Sequence, residues 1–579
     1  MINQIFSKNA LTYVFIVIVF VSFLIHLNFR QSHFQELDSS GVYYVLNNFP
    51  TSAMNFISMS YMSENLKIFK TREAAENFFN KEIVDKNLRA VLGAKYNDKN
   101  KELIISEIYQ GKSIFFYLRA AEILALNKIV HLLPIPLFTS IVQPLSSTYS
   151  PGPGFFYGFM GAHSSYDDFM KFAGTFQLLI FHLGVLIMFF TVSFLSKNRF
   201  TALTVGSLML FSYSLYSYAH HMGSVTWNIF VPTIFIGLLL YYYNKEREDI
   251  LRRVSIISSW LLLFSYLVPY LWFATITSIV VIDKNSGISV FNLEYLKKIV
   301  ISQKWFLVSS VVCLLLILPP SQGFRGSAES LVEFIQFFYY GLLNYFYLYG
   351  NLTYLSLIEF WVFFTLFVSG LYVGYKKIKG SEKKLIWYFI VSLLALYSVS
   401  VVFNILSFIP SRHILFLTPV LFIIISFAID VLYKRLDMVL LVLFNVLLIS
   451  AGFYSVIASQ DVTFDQTLHA KVPTYIDSVI VYGENYPLKY RFEDSHHAFI
   501  KKGNVLLSEQ IKPNVRYLYV SQLGCFEDLL QDAKDEGIHV VLENKKQYVT
   551  DQKFIAFDPS DFVFNSPNNY CQAEFIWKE

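Results

Sequence analysis

Residues 254–282 read VSIISSWLLLFSYLVPYLWFATITSIVVI, an unbroken run of 29 residues with no charged side chain and one proline, Pro269. A membrane-crossing helix takes about 20 mostly apolar residues, so this run is long for one crossing and short for two. Its parity decides the side on which everything downstream lies. As one helix it places the loops carrying Lys284, Lys297, Lys298 and Lys304, and later Lys376, Lys377, Lys379, Lys383 and Lys384, outside the cell. As two short helices broken near Pro269 it places all of them inside, together with Lys197, Arg199, Lys245, Arg247, Arg252, Arg253, Lys434 and Arg435. Short loops rich in Lys and Arg face the cytoplasm, and proline interrupts the hydrogen-bond ladder of a helix interior. The two-helix reading therefore stands.

Nine further runs extend the pattern to eleven expected spans. They are residues 11–29, 172–195, 200–219, 225–243, 305–320, 352–375, 385–407, 414–433 and 438–458, with 254–267 and 268–282 completing the set. Composition agrees: of 579 residues 55% are hydrophobic, 18% aromatic and only 15% charged, against about 25% charged in an ordinary soluble domain. A soluble protein of this size is excluded. Forty-six basic and 42 acidic residues leave a net charge of +4, and no Lys/Arg-dense face with interleaved aromatics occurs, so nucleic acid is set aside as a partner. The first run follows Lys8 and has no small-residue cleavage pattern behind it, which makes it a retained anchor with a cytoplasmic N-terminus. Residues 113–142 carry Arg119, Glu122, Lys128 and His131 and read as interfacial helices on the outer surface. No internal repeat or symmetry between halves is visible.

The expected fold is thus an all-α polytopic membrane domain over residues 1–458, including a long first outer loop at 30–171, followed by a small extracytoplasmic α/β domain over 459–579. That tail has 12 Lys/Arg and 18 Asp/Glu, a return to soluble composition. Apolar runs at 478–482, 515–520 and 539–542 read as strands, and the acidic stretch 527–536, stopped by Gly537, reads as a helix between the last two. Cys525 and Cys571 both lie in the tail, as a pair an oxidising compartment would join or as two free thiols. Cys313 lies in a span.

Several polar residues stand at the outer ends of the expected spans. Glu36 and Asp38 follow the first span; in an extended chain they point the same way, where either suits proton acceptance or a share of a divalent cation such as Mg or Mn. No second ligand set with clear metal spacing accompanies them, so the sequence demands no cofactor. The segment Thr148–Tyr157 places Tyr149 and Tyr157 around Pro151-Gly152-Pro153-Gly154, a rigid turn delivering aromatics to the interface. His220 and His221, Arg325, and Arg412 with His413 lie on the same face. Glu359, inside an apolar run, is either a functional carboxylate or a headgroup-level one. Asp167 and Asp168 read as helix N-terminal charges, and His26 and His182 as residues satisfied by neighbouring helices.

A Glu-x-Asp pair after the first span, a long outer loop ending in a Pro-containing aromatic segment, short inner loops, an arginine followed by an apolar stretch and Pro419, and a soluble tail together resemble the GT-C superfamily. The likeness is to integral-membrane glycosyltransferases that use polyprenyl-phosphate sugars, especially bacterial relatives of protein O-mannosyltransferases and lipid A aminoarabinose transferase. It covers most of residues 1–458 in architecture. Where such families often place His before a proline pair, this chain has Tyr149-Ser150-Pro151 with the prolines split by Gly152.

The resemblance implies transfer of a sugar from a polyprenyl-phosphate donor to a protein, lipid or cell-envelope glycan at the outer face of a bacterial inner membrane. Asp38 is then the general base and Glu36 its neighbour on acceptor or cation. Arg412, Arg325 and His413 would hold the donor phosphate, while Tyr149, Tyr157, His220, His221 and Glu359 would position substrate. Two readings compete: a transporter or flippase of lipid-linked glycans, which expects polar groups deep in the spans and often repeated halves, and a polysaccharide polymerase. A non-catalytic envelope scaffold is a third.

Overall fold

The computed structural model describes chiefly residues 8–33, 166–212, 224–317, 353–402, 416–458, 475–482, 497–501, 506–550 and 568–578, apart from one to three residues at a few internal positions. It is mostly helical, with a small sheet near its C-terminus. The helices are α1 (Lys8–His33), α2 (Tyr166–Ser196), α3 (Arg199–Phe211), α4 (Ser224–Lys245), α5 (Ile250–Leu262), α6 (Val268–Asn285), α7 (Leu293–Ser302), α8 (Lys304–Ile317), α9 (Thr353–Lys377), α10 (Ser381–Val402), α11 (Thr418–Tyr433) and α12 (Met438–Ala458). Asp167 and Asp168 are the second and third residues of α2, where the exposed amide ends favour negative charge.

The run at 254–282 is broken. α5 stops at Leu262, and α6 starts at Val268 with Pro269 in its first turn, where a missing N–H leaves no bond unmade. Between them Phe264 N–H bonds the Leu261 carbonyl at 2.9 Å and the Ser265 hydroxyl oxygen accepts from Leu267 N–H at 3.2 Å, so a tight turn satisfies the interrupted backbone.

Among the described residues four stretches are long and apolar enough to cross a membrane: Asn9–Leu27, Phe172–Ser196, Thr226–Lys245 and Ser381–Ser400. α3 and α11 are shorter and play a different part. Every residue of α3 from Phe200 to Phe211 is buried, as is nearly all of α11; a helix apolar on all sides belongs inside a larger body. The 200–219 run was expected to form one span, but α3 ends at Phe211 because Ser212 turns extended at its C-cap. At the periphery Val14, Val17 and Phe20 of α1, and Val439, Leu443, Val446 and Leu447 of α12, expose apolar side chains. Bands of that extent are foreign to a water-facing surface and natural to a lipid-facing one.

Close approach of α9 to its neighbours depends on glycine. A Cβ on Gly370 would run into the Ile424 carbonyl of α11, and one on Gly374 into the Trp387 ring of α10. Backbone cannot rotate away as a side chain can. Gly370→Ala is therefore expected to push α9 off α11 at a cost of about 1–3 kcal/mol, read as a lower Tm of the detergent-solubilised protein. Gly184→Ala is the control, since its Cβ would meet Phe230 at an ordinary 3.5 Å.

The C-terminal sheet has five strands: β1 (Ser478–Tyr482), β2 (His497–Lys501), β3 (Arg516–Ser521), β4 (His539–Thr550) and β5 (Asn568–Lys578). Their order is β2-β1-β3-β5-β4. β1 is parallel to β2 and β3, and β5 is antiparallel to β3 and β4. Among the described residues two helices accompany the sheet, α13 (Leu507–Gln510) and α14 (Cys525–Asp535). The expected strand–helix–strand unit is present as β3, α14 and β4, but β5 is inserted between its two strands. α14 ends at Gly537, whose φ of +69° lets its N–H reach the Lys534 carbonyl and the Ile538 N–H reach that of Ala533, a closure favouring glycine. Leu529 and Ala533 then pack with Tyr517, Tyr519 and Phe575.

Candidate functional site

The helical body has two chemically distinct ends. At the first, cations meet aromatics and carboxylates. Lys245, Arg253 and Arg247 lie over the rings of Tyr241, Tyr242 and Tyr243 at 4.7, 5.2 and 5.3 Å. The charges of Arg247, Asp283 and Glu382 all act on the Tyr243 hydroxyl, so the end of α4, the end of α6 and the start of α10 lie together. Asp430, buried near the end of α11, takes Lys434 at 2.9 Å and Lys383 at 3.9 Å. Gln303 donates to the Leu251 carbonyl at 2.8 Å, bringing the start of α8 to the start of α5. α4 and α6 can finish at the same end only if the chain crosses twice between them. That is the parity which the break at Pro269 provides.

At the opposite end the buried groups are polar but mostly uncharged. His182 Nδ1 donates to the Leu178 carbonyl at 2.7 Å, and its Nε2 lies 3.3 Å from the Ser22 hydroxyl of α1. His26 packs against His182 with ring centroids 5.4 Å apart. His182 is satisfied between α1 and α2, as expected of it, whereas His26 Nδ1 bonds the Ser22 carbonyl of its own helix at 2.9 Å. Farther along, Ser265 in the α5–α6 turn donates to Asn228 Oδ1 of α4 at 2.9 Å. Phe264 stacks on Trp227 at 4.8 Å, and Phe176 of α2 stands 6.1 Å from Trp227. Phe416, just before α11, touches Tyr270 of α6 and Tyr397 of α10 at 6.4 and 6.1 Å. Asn228 was not singled out from sequence; its signal is an amide buried in the first turns of an apolar helix.

Of the candidate residues, Glu359 is the seventh residue of α9. Glu36, Asp38, Tyr149, Tyr157, His220, His221, Arg325, Arg412 and His413 lie outside the described residues. Three of them lie close in sequence to described elements. Asp38 follows the end of α1 by five residues, His221 precedes α4 by three, and Arg412 precedes Phe416 by four; chain lengths of three to five residues span at most about 10–18 Å. All three anchor points belong to the polar end. Among the described residues no group of three or more His, Cys, Asp or Glu is placed to hold a metal ion.

The C-terminal sheet carries a separate ionic cluster. Glu574, 5% exposed on β5, accepts from the Tyr475 hydroxyl at 2.7 Å, from Asn544 Nδ2 at 2.8 Å and from Arg516 at 2.9 Å. Asn544 reaches it from a bulge in β4, at a φ of +49°. Burial acts to raise the carboxyl pKa, but the bonds from Tyr475, Asn544 and Arg516 outweigh it and hold the pKa below the ordinary value. A depressed carboxyl pKa adds stability above the unfolded-state value, and that stability is lost as pH falls through the folded one. Glu574→Gln is therefore expected to lower the Tm of the tail near neutral pH and to narrow its gap to the parent in acid, checked by melting at several pH values. Cys571 on the same strand is disulfide-bonded, whereas Cys313 is a buried free thiol.

No protein-family model matches the chain, and no curated protein matches it.

Proposed function

We propose that the chain is a polytopic glycosyltransferase of GT-C type, with eleven spans, that takes a sugar from a polyprenyl-phosphate donor. The acceptor is a protein, lipid or cell-envelope glycan at the outer face of a bacterial inner membrane. The observation that carries this reading is the polar end of the helical body. The segments bearing Asp38, His221 and Arg412 are anchored there by tethers of a few residues, opposite the end that gathers the lysines and arginines. Reaches of that length support a base and a phosphate-binding guanidinium on one side. The basic end is the cytoplasmic one under the positive-inside rule, and the disulfide-bonded Cys571 suits an oxidising compartment for the tail.

In this reading the acceptor hydroxyl gives its proton to Asp38 as it attacks the anomeric carbon. The bond to the donor phosphate breaks, and Arg412 with Arg325 and His413 receives the growing charge on the leaving phosphate. Glu36 supports the acceptor or a cation. Tyr149, Tyr157, His220, His221 and Glu359 frame the sugar and lipid.

Incubation of the purified full chain with a panel of polyprenyl-phosphate monosaccharides, followed by mass spectrometry of the released lipid phosphate, tests the proposal. Release from one donor, dependent on acceptor, is expected. Absence of release from every donor, together with movement of lipid-linked glycans across a reconstituted bilayer, would move the assignment to the flippase reading. Use only of donors carrying longer glycans on pyrophosphate would move it to a polymerase.

A further inference from the structure

The short helix α7, LEYLKKIVIS, joins α6 to α8 at the basic end and buries none of its residues fully. One side is tied to the protein. The Tyr295 hydroxyl donates to Asp283 at 2.7 Å, Ile299 packs on the core, and Gln303, the residue after the helix, bonds both the Leu251 carbonyl and the Trp272 indole N–H at 2.8 Å. Asn292 caps the start by accepting from Glu294 N–H at 3.1 Å. The helix is therefore held in place rather than loosely hung.

Its other side faces outward and is apolar. Leu293, Val300 and Ile301 are 79, 62 and 57% exposed, and Leu296 stands among them. Positions 293, 296 and 300 form one helical stripe. Such a stripe on a ten-residue helix is costly in water, since short helices draw their stability from covering their apolar face. Beyond Ser302, Gln303 and Lys304, exposed apolar residues resume in α8 at Trp305, Leu307, Val308 and Val311. Cations border the stripe: Lys297 and Lys298 are exposed on α7, and Lys304 lies 5.4 Å from the Trp305 ring centre. Glu294 in the first turn is the helix's only acidic side chain.

An occupant must therefore offer hydrocarbon edged by negative charge. We propose that α7 lies in the plane of the cytoplasmic leaflet, with Leu293, Leu296, Val300 and Ile301 among the upper acyl chains. Lys297, Lys298 and Lys304 gather anionic phospholipid headgroups around it. Long lysine stems bury their methylenes while the ammonium stays at headgroup depth, and apolar area combined with cationic charge is the signature of an in-plane helix. This inference rests on the membrane reading and is independent of what the protein transfers.

The test uses the full chain with Leu296→Cys carrying an environment-sensitive NBD label, reconstituted in phosphatidylcholine vesicles with or without phosphatidylglycerol. The parent chain treated with the same reagent supplies the blank. Quenching by doxyl-labelled lipid is expected, with little quenching by aqueous iodide. Doxyl-phosphatidylglycerol should quench more than doxyl-phosphatidylcholine, and Lys297→Gln and Lys298→Gln should each reduce that preference about fivefold, the factor a near-surface cation typically supplies. Ile301→Cys repeats the measurement on the same outward face should the first variant fail to fold. Iodide quenching in place of lipid quenching, an unchanged lipid preference in both glutamine variants, or efficient thiol cross-linking between copies at these positions would each overturn the proposal.

Discussion

Asp38→Asn is expected to abolish sugar transfer while leaving the protein inserted and folded. An acceptor hydroxyl has a pKa far above neutrality, so its proton must leave as the new bond forms; a positioned carboxylate contributes typically about 10²–10⁴-fold. The amide of Asn keeps the shape and hydrogen-bonding reach of the carboxylate but cannot take a proton. Turnover should fall by that factor with donor binding little changed, because the proposed mechanism assigns the donor phosphate to Arg412, Arg325 and His413. The measurement is acceptor-dependent release of lipid phosphate by parent and variant at matched amounts of inserted protein. Glu36→Gln sharpens it: a smaller loss there separates the base from its neighbour, whereas a loss confined to Glu36 would exchange their roles. A fully active, correctly inserted Asp38→Asn variant removes Asp38 from the chemistry.

How far the sequence reaches can be followed at individual residues. The break at Pro269 was legible because two independent signals agreed, a proline where a helix must restart and lysines whose sidedness depends on it. The structure brings Asp283 and Glu382 to Tyr243 accordingly. β1 at Ser478–Tyr482 and α14 up to Gly537 were legible for local reasons, a contiguous apolar run and a glycine stop. β5 was not. Its sequence NNYCQAEFIWK alternates, and the polar members Gln572 and Glu574 are buried, Glu574 on partners from β3, the β4 bulge and the segment before β1. A search for apolar runs passes over a strand whose buried polar groups are paid for at long range. The length of α3 was misread for a similar reason, since an apolar run carries no mark of where a helix inside a body ends. Of the candidate site, sequence supplied residue types and a common side. The helices add described points close in sequence to Asp38, His221 and Arg412.

Arg412→Ala is expected to weaken use of the donor far more than use of the acceptor. As the glycosidic bond breaks, charge accumulates on a phosphate at the water boundary, where a side chain must remain protonated and offer parallel donors. Guanidinium does both, and its planar fork matches two phosphate oxygens at once. Hydrogen bonds to charged groups contribute roughly 1.5–3 kcal/mol, so removing them should lower kcat/KM for the donor about 10- to 100-fold. Arg412→Lys distinguishes charge from geometry: it keeps the positive charge but loses the fork, and should recover only part of the activity. The anchoring of this segment bears on the outcome. Phe416, four residues on, is wedged between Tyr270 and Tyr397, so the chain is held to α6 and α10 at that residue. Phe416→Ala should therefore loosen that anchor and raise the donor KM while Arg412 itself is intact. If Arg412→Ala leaves donor dependence unchanged while Phe416→Ala impairs it, the anchor matters and the phosphate is held by Arg325 or His413 instead.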